Sequence, residues 1–258
     1  MISTTKNDRV RAACGKVFSA AFWLCVWQLA YFTVGQEILI VSPVQVLSRL
    51  FELVREGDFW LTVLFSMLRV TEGFLIGVFA GTVLAVLSFA GDVLFDLIRP
   101  VVSVVKATPV ASFIILALVW MKSPHVPVFA SVLVVTPIVF ENVREGIRKT
   151  DRNLLQMARS FRFGAARTAR HVYLPSVTPY FTAACATAMG MAWKGGIAAE
   201  VLSSIPLSIG GRIYEAKIYI DTAGLFSWTA VVIVMSVLLE KLLIRAMRKA
   251  GRGFGAVS

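Results

Sequence analysis

The chain has 258 residues, 57% of them apolar and only 16% charged, with a formal net charge of +11. An ordinary soluble domain carries about 25% charge, so this composition and a mean hydropathy of +0.77 exclude one. The excess of base does not indicate nucleic acid, because the lysines and arginines stand in gaps between apolar blocks and not on an aromatic-rich soluble module.

The first sixteen residues, MISTTKNDRVRAACGK, are basic. No short apolar run ending in a small-residue cleavage site follows them, so they read as an uncleaved cytoplasmic segment. Six apolar segments then follow: Val17–Gly35, Thr62–Phe89, Val101–Met121, Val126–Phe140, Val177–Ala199 and Leu225–Leu239. Most approach the roughly twenty residues that cross a hydrocarbon core of about 30 Å. They do not alternate as barrel strands would, and lipid offers a backbone no partner, so each is expected to be a helix. The expected fold class is an all-α membrane protein with six transmembrane helices. Its parts are a cytoplasmic segment 1–16, one transmembrane domain 17–249 with a cytoplasmic loop 141–175, and a cytoplasmic tail 250–258.

Orientation follows from the lysines and arginines. With the N-terminus inside, eighteen of the 26 fall in inner segments and five in outer ones, the five being Arg49, Arg55, Lys122, Arg212 and Lys217. Both termini are therefore expected in the cytoplasm. Arg69, Lys106 and Lys194 fall within spans.

Along the second span, Gly73, Gly77 and Gly81 recur every four residues, and Ala184, Ala188, Ala192 and Gly196 do so along the fifth. Small-residue ridges of this kind let helix backbones approach closely. The same faces could also slide as access alternates. A charge facing lipid costs roughly 2.5–3.5 kcal/mol even on the lenient insertion scale. Arg69 and Glu72 share a face of the second span, and Lys194 lies about 27 Å along the fifth, with Glu200 beyond it. Two readings stand: these four pair across helices near the outer mouth as part of a gate, or Arg69 and Lys194 snorkel to the headgroups. Lys106 sits a turn or so inside the third span and can snorkel inward. Pro109 removes a backbone hydrogen bond there, and Thr108 and Pro109 are candidates for the pathway. Trp120, Trp193 and Trp228 read as interface anchors or packing residues.

Chemistry is hard to place in this chain. Cys14, Cys25 and Cys185 are scattered without metal-ligand spacing. His125 and His171 fall on opposite sides of the membrane, and Asp92 and Asp96 read as solvated charges at a cytoplasmic turn. No metal site and no catalytic residue are expected.

The longest inner loop contains QMARSFRFGAARTARHVYLP, Gln156 to Pro175. Leu154, Leu155, Ala158 and Phe161 make one apolar stripe on a short helix, with Arg152, Arg159 and Arg162 off it. Gly164 is placed to break that helix, and a second short helix would run through Arg170. On these grounds the loop is either a basic amphipathic hairpin on anionic lipid or a docking knob for a soluble partner.

This run resembles the cytoplasmic loop of ABC-importer permeases, whose pattern is Glu-Ala-Ala, three residues, Gly, nine residues, Ile, any residue, Leu-Pro. Gln156, Met157 and Ala158 take the first three positions, Arg162 the glycine, and Val172 the isoleucine before Leu174-Pro175. Gln156 thus replaces the acid and Arg162 the glycine. The segments SPVQVLSRLFELVREGDFW, SMLRVTEGFLIGVFAGTVLAVL, ATPVASFIILALVWM and AWKGGIAAEVLSSIPLSIGGRIYEAKIYIDTAGLFSWTAVVIV resemble permeases of the nitrate/sulfonate/taurine type. The resemblance runs from about Phe22 to Lys249.

The resemblance implies a type I ABC-importer permease. It would pair with a second permease copy in the lipid bilayer and receive cargo from an extracytoplasmic solute-binding protein. Two cytoplasmic ATP-binding subunits would grip Leu154, Leu155, Gln156, Met157, Ala158, Arg159, Phe161, Arg162 and Gly164. ATP and Mg would sit on those subunits, because this chain has no GxxxxGK[ST] phosphate loop. It would bind no cofactor and be no enzyme. An ATP-independent secondary transporter is the rival, but it should show internal repeats and central ionisable residues. A channel or scaffold subunit would differ only in needing no ATPase.

Overall fold

The computed structural model describes residues 6–252, and among these there is no strand. The N-terminal segment and the C-terminal tail therefore lie partly outside the described residues. Helix α1 covers Lys6–Val34, α2 Pro43–Arg55, α3 Gly57–Leu87, α4 Asp92–Ala107 and α5 Val110–Trp120. Helix α6 covers Val126–Arg148, α7 Arg152–Ser160, α8 Ala165–Thr168, α9 Leu174–Ser203, α10 Ile209–Ile218 and α11 Thr222–Arg252.

Helix α6 is the centre, packed between α3 and α9. The small residues explain how closely. A Cβ added at Gly73 would come within 2.5 Å of the Val128 carbonyl oxygen, and one at Gly77 within 2.7 Å of the Val135 Cβ. One at Gly81 would meet the Thr136 carbonyl at 2.6 Å. On the other flank Ala184, Ala188 and Ala192 are buried, and the Ser131 hydroxyl of α6 donates to the Ala192 carbonyl at 3.3 Å. Gly196 lies where the three helices converge, against Val70 and Ser131. In lipid such close approach replaces the hydrophobic drive that water would supply.

Among the described residues, three helices are long and apolar enough to cross a membrane: α3, α6 with the short 3₁₀ turn before it, and α11. The expected third span is not one kinked helix. It is α4 and α5, meeting at 103° across Thr108 and Pro109, and as a bent pair it makes a fourth candidate. The cause is local. A residue before proline is pushed out of the α region, and Thr108 is extended, at φ −83° and ψ 131°. Pro109 cannot donate to a preceding turn. Helix α5 then packs through Ile114 and Ala117 against α6 and α9 residues Val126, Ala130 and Ala199. The apolar part of α1, Phe18–Val34, is shorter than a full span. Helix α9 has 30 residues, buries a face of alanine and glycine and carries Lys194 and Glu200; it is not among the helices that are long and apolar enough to cross a membrane alone.

The connecting segments are ordered by caps. Ser42 and Gln45 form a capping box at α2, with the Ser42 hydroxyl accepting from the Gln45 N–H and the Gln45 side chain accepting from the Ser42 N–H. Helix α11 holds this end of the chain, as Thr222 donates to the Ile38 carbonyl at 2.7 Å and Ser227 to the Val46 carbonyl at 3.1 Å.

Candidate functional site

Three places carry polar or exposed groups that packing alone does not require. The first is a buried carboxylate at the end of the molecule that bears α10. Glu200, near the end of α9, has no solvent exposure. One of its oxygens accepts from the Ser66 hydroxyl at 2.7 Å and from the Gly210 N–H at 3.1 Å. The other faces the Arg69 guanidinium at 3.3 Å. Ser66 in turn accepts from the Ile209 N–H at 2.9 Å, while Ser208 caps α10 by accepting from the Gly211 N–H. The first amides of a helix have no partner of their own and carry partial positive charge. A carboxylate and two hydroxyls therefore satisfy the start of α10 and tie it to α3 and α9.

Of the four charges expected to pair across helices, Arg69 and Glu200 meet. Glu72 and Lys194 are exposed and stand in no ion pair among the described residues. Ser66 was absent from the sequence reading. Its only signal was its place three residues before Arg69, one helical turn away.

The second place is the break between α4 and α5. Thr108 is half-buried and Pro109 exposed, and the Thr108 hydroxyl donates to the Val104 carbonyl at 2.8 Å. Just before the break, Lys106 reaches Glu141 of α6 with its Nζ 2.7 and 2.8 Å from the two carboxylate oxygens. Nearer the α7 end of α6, the Arg144 guanidinium lies 3.8 Å from the centre of the Phe95 ring of α4.

The third place is the segment between α6 and α9. Asp151 caps α7 by accepting from the Asn153 N–H at 2.8 Å. The helix stops at Phe161, not at Gly164. Arg162 adopts a left-handed conformation at φ 51°, its N–H bonds the Arg159 carbonyl, and the Phe163 N–H bonds the Ala158 carbonyl. These two bonds define a Schellman stop, in which the left-handed residue is most often glycine. Arg162 therefore occupies the position at which the permease pattern has glycine, and it bears the steric cost that glycine avoids. Gly164 is extended and precedes α8. The second helix does not end at Arg170 but passes through a π-turn, Ala169–Tyr173, straight into α9.

The apolar stripe of α7 is divided. Ala158 is buried against the π-turn and Leu155 is half-buried, whereas Leu154, Met157 and Phe161 are exposed. Gln156, Arg159 and Arg162 flank them, also exposed. The result is a short helix held from beneath by one alanine, with an outward apolar row set among bases.

Residues 73–250 match the family described as binding-protein-dependent transport system inner membrane component. The chain belongs to this family. It is a multi-pass inner-membrane permease subunit of an ABC transport system. A probable ABC transporter permease protein of Brucella melitensis is 25% identical over 246 residues, 94% of this permease and 98% of its own length. A putative aliphatic sulfonates transport permease of Escherichia coli is 28% identical over 225 residues, covering 85% and 82% of the two chains. The nitrate import permease of Leptolyngbya laminosa is 24% identical over 205 residues, or 75% and 71%. In fold, the permease resembles a chain of the crystal structure of an amino acid ABC transporter, with a TM-score of 0.61 over 73% of this chain and 92% of that one at 18% identity.

The remaining residues singled out in the sequence fall as follows in the permease. Trp193 is fully buried and donates to the Val232 carbonyl at 2.9 Å, and Trp228 stacks on Phe59 with ring centres 5.3 Å apart. Both pack the interior, while Trp120 is exposed. Asp92 and Asp96 are exposed at the start of α4.

Proposed function

We propose that this permease forms the path for a small anionic solute and is driven through α7 by two separate cytoplasmic ATP-binding subunits. The observation that carries the reading is the exposed row of Leu154 and Met157 on a helix of nine residues, continued by Phe161 at its C-cap. A groove on a soluble partner buries such a row by the usual helix-in-groove fit. The continuous connection from α8 into α9 supports transmission of movement from that docking site to the interior. The sequence has no phosphate loop of its own, which supports assigning ATP and Mg to the partner subunits.

The orientation has both termini in the cytoplasm and six crossings, α1, α3, the α4–α5 pair, α6, α9 and α11. The lysine and arginine distribution supports this. An extracytoplasmic solute-binding protein then delivers cargo at the α10 end, where the Arg69–Glu200–Ser66 cluster serves as an outer latch. A second permease copy completes the path. Sulfonates and nitrate, named for the relatives, are small anions, and this supports the cargo class.

Replacing Met157 and Phe161 together by arginine and glutamate tests the coupling. Both side chains are exposed, so the permease should still insert and fold. An ATPase subunit that co-purifies with the native permease in mild detergent should be lost from the variant. Equal recovery from both would assign α7 to the lipid surface.

A further inference from the structure

Two connections meet at the end of the molecule where α11 begins. The segment from α1 to α2 and the turn from α10 to α11 are tied together by the Thr222 hydroxyl, which donates to the Ile38 carbonyl at 2.7 Å. Between them lies a cavity of about 320 Å³, and Glu37, Ile38, Gln45, Ile220 and Asp221 are among the residues that line it. That is the small end of the range for ligand pockets. Its two carboxylates are unevenly served. Asp221 accepts from the Gly224 N–H at 2.8 Å and has the Arg49 guanidinium 3.7 Å away. Glu37 stands in no ion pair among the described residues. Two neutral donors, the Tyr31 hydroxyl at 3.1 Å and the Gln45 amide at 2.8 Å, bind the same Glu37 oxygen and leave the other without a partner among those residues. The cavity therefore sets two carboxylates against one guanidinium, and the spare negative charge is held in place.

The rim is apolar and one of its residues is strained. Ile220 is left-handed at φ 56°, a conformation that a β-branched residue rarely takes. The Ile220 N–H bonds the Lys217 carbonyl at 3.3 Å and the Asp221 N–H bonds the Ala216 carbonyl at 2.9 Å. Glycine would close α10 in the same way without the strain. What isoleucine adds is a displayed apolar side chain, 64% exposed, beside Tyr219 at 80% and Ile38 at 68%.

We propose that this cavity and its rim are a docking socket for the extracytoplasmic solute-binding protein, which seats a lysine or arginine beside Glu37 and packs on Tyr219 and Ile220. This rests on the importer reading above and places its delivery partner. In the proposed orientation the socket opens on the extracytoplasmic side. Charge decides the occupant, because two carboxylates repel the phosphate of an anionic lipid and attract a basic side chain. The long apolar stem of lysine or arginine lies along Ile38 and Ile220 while its charged end reaches the free Glu37 oxygen. Complementary charge of this kind also speeds encounter between soluble and membrane partners.

The test uses the permease with its ATPase subunits in nanodiscs, titrated with the purified solute-binding protein of the same transporter. The readout is the binding-protein concentration that half-maximally stimulates the ATPase. Glu37→Gln keeps an acceptor for Tyr31 and Gln45 and removes only the charge. It should raise that concentration about tenfold and flatten its dependence on salt. Ile220→Gly should also weaken docking, yet raise the melting temperature by relieving the left-handed turn. A purely structural role for Ile220 would leave docking unmoved. Tyr219→benzoylphenylalanine should crosslink to the binding protein on illumination.

An unchanged half-maximal concentration in Glu37→Gln overturns the proposal. If that variant proves unstable, Ile220→Gly decides, because its fold is the firmer one and only a lost contact can weaken its docking. Crosslinking of position 219 to a second permease copy, or to lipid alone, overturns it as well. Absence of any stimulation in the native assembly would instead refute the importer reading itself.

Discussion

Glu200 and Arg69 lie 131 residues apart in sequence and 3.3 Å apart in space. Removing one member of a buried pair leaves the other uncompensated, which costs about 3–5 kcal/mol when both are fully enclosed. Arg69 keeps some access to solvent, so Arg69→Ala should cost about 2–4 kcal/mol, read as a lowered melting temperature of the detergent-purified permease. Adding Glu200→Gln should restore much of it, since an amide still bonds Ser66 and Gly210. A melting temperature unchanged by Arg69→Ala would remove the latch from the account. The charges at Arg69, Glu72, Lys194 and Glu200 were legible as a group because each is costly in lipid. Which of them meet was not, because pairing depends on rotation about the helix axes and on α10, whose amides supply half the partners. Arg162 was legible only as a departure from a pattern. The reason glycine is usual there, a left-handed residue closing α7, appears once the Phe163–Ala158 and Arg162–Arg159 bonds are seen.

Five of the six apolar blocks fall on single helices, α1, α3, α6, α9 and α11, and of these α3, α6 and α11 are long and apolar enough to cross a membrane by themselves. The small-residue spacing on α3 also pointed to its packing face, since glycine every fourth residue makes a groove along one side. Gly77→Leu should prise α3 from α6, because its Cβ would meet the branched Val135 Cβ, an atom that cannot rotate away. The expected loss is about 1–3 kcal/mol, measured against Gly190→Ala, where no atom stands within 4 Å and stability should hold. Equal stability of the two variants would argue against a tight α3–α6 seam. The break at Thr108 was signalled by Pro109, but its sharpness was not. Proline dictates where a helix is interrupted, and the packing of α5 on α6 and α9 dictates the angle.

At the scale of the whole molecule, the six-crossing arrangement is open to direct mapping. With Cys14, Cys25 and Cys185 replaced, a single cysteine at Arg162 should react with an impermeant thiol reagent only after the cells are opened. One at Arg212 should react in intact spheroplasts. The reverse pattern would invert the topology, and labelling of both from one side would reduce the number of crossings. Composition disclosed the membrane, and the lysine and arginine distribution supplies the orientation that this labelling tests. Helix α9, expected from Val177–Ala199, lays its ridge of small residues against α6, where a helix covered by protein has no need of a greasy surface.

From Ala165 to Ser203 the backbone is helical without interruption, the π-turn included, and 39 residues at 1.5 Å each make a rod about 58 Å long. One end carries the α7 segment and the other carries Glu200. Such a rod has mechanical advantage. A tilt of about 5° about its foot swings the far tip by about 5 Å, more than the length of the Glu200 hydrogen bonds. In the proposed coupling, a modest stroke at the α7 end would thus be enough to unfasten the Glu200 cluster at the other, with no signal needing to pass through the side chains between.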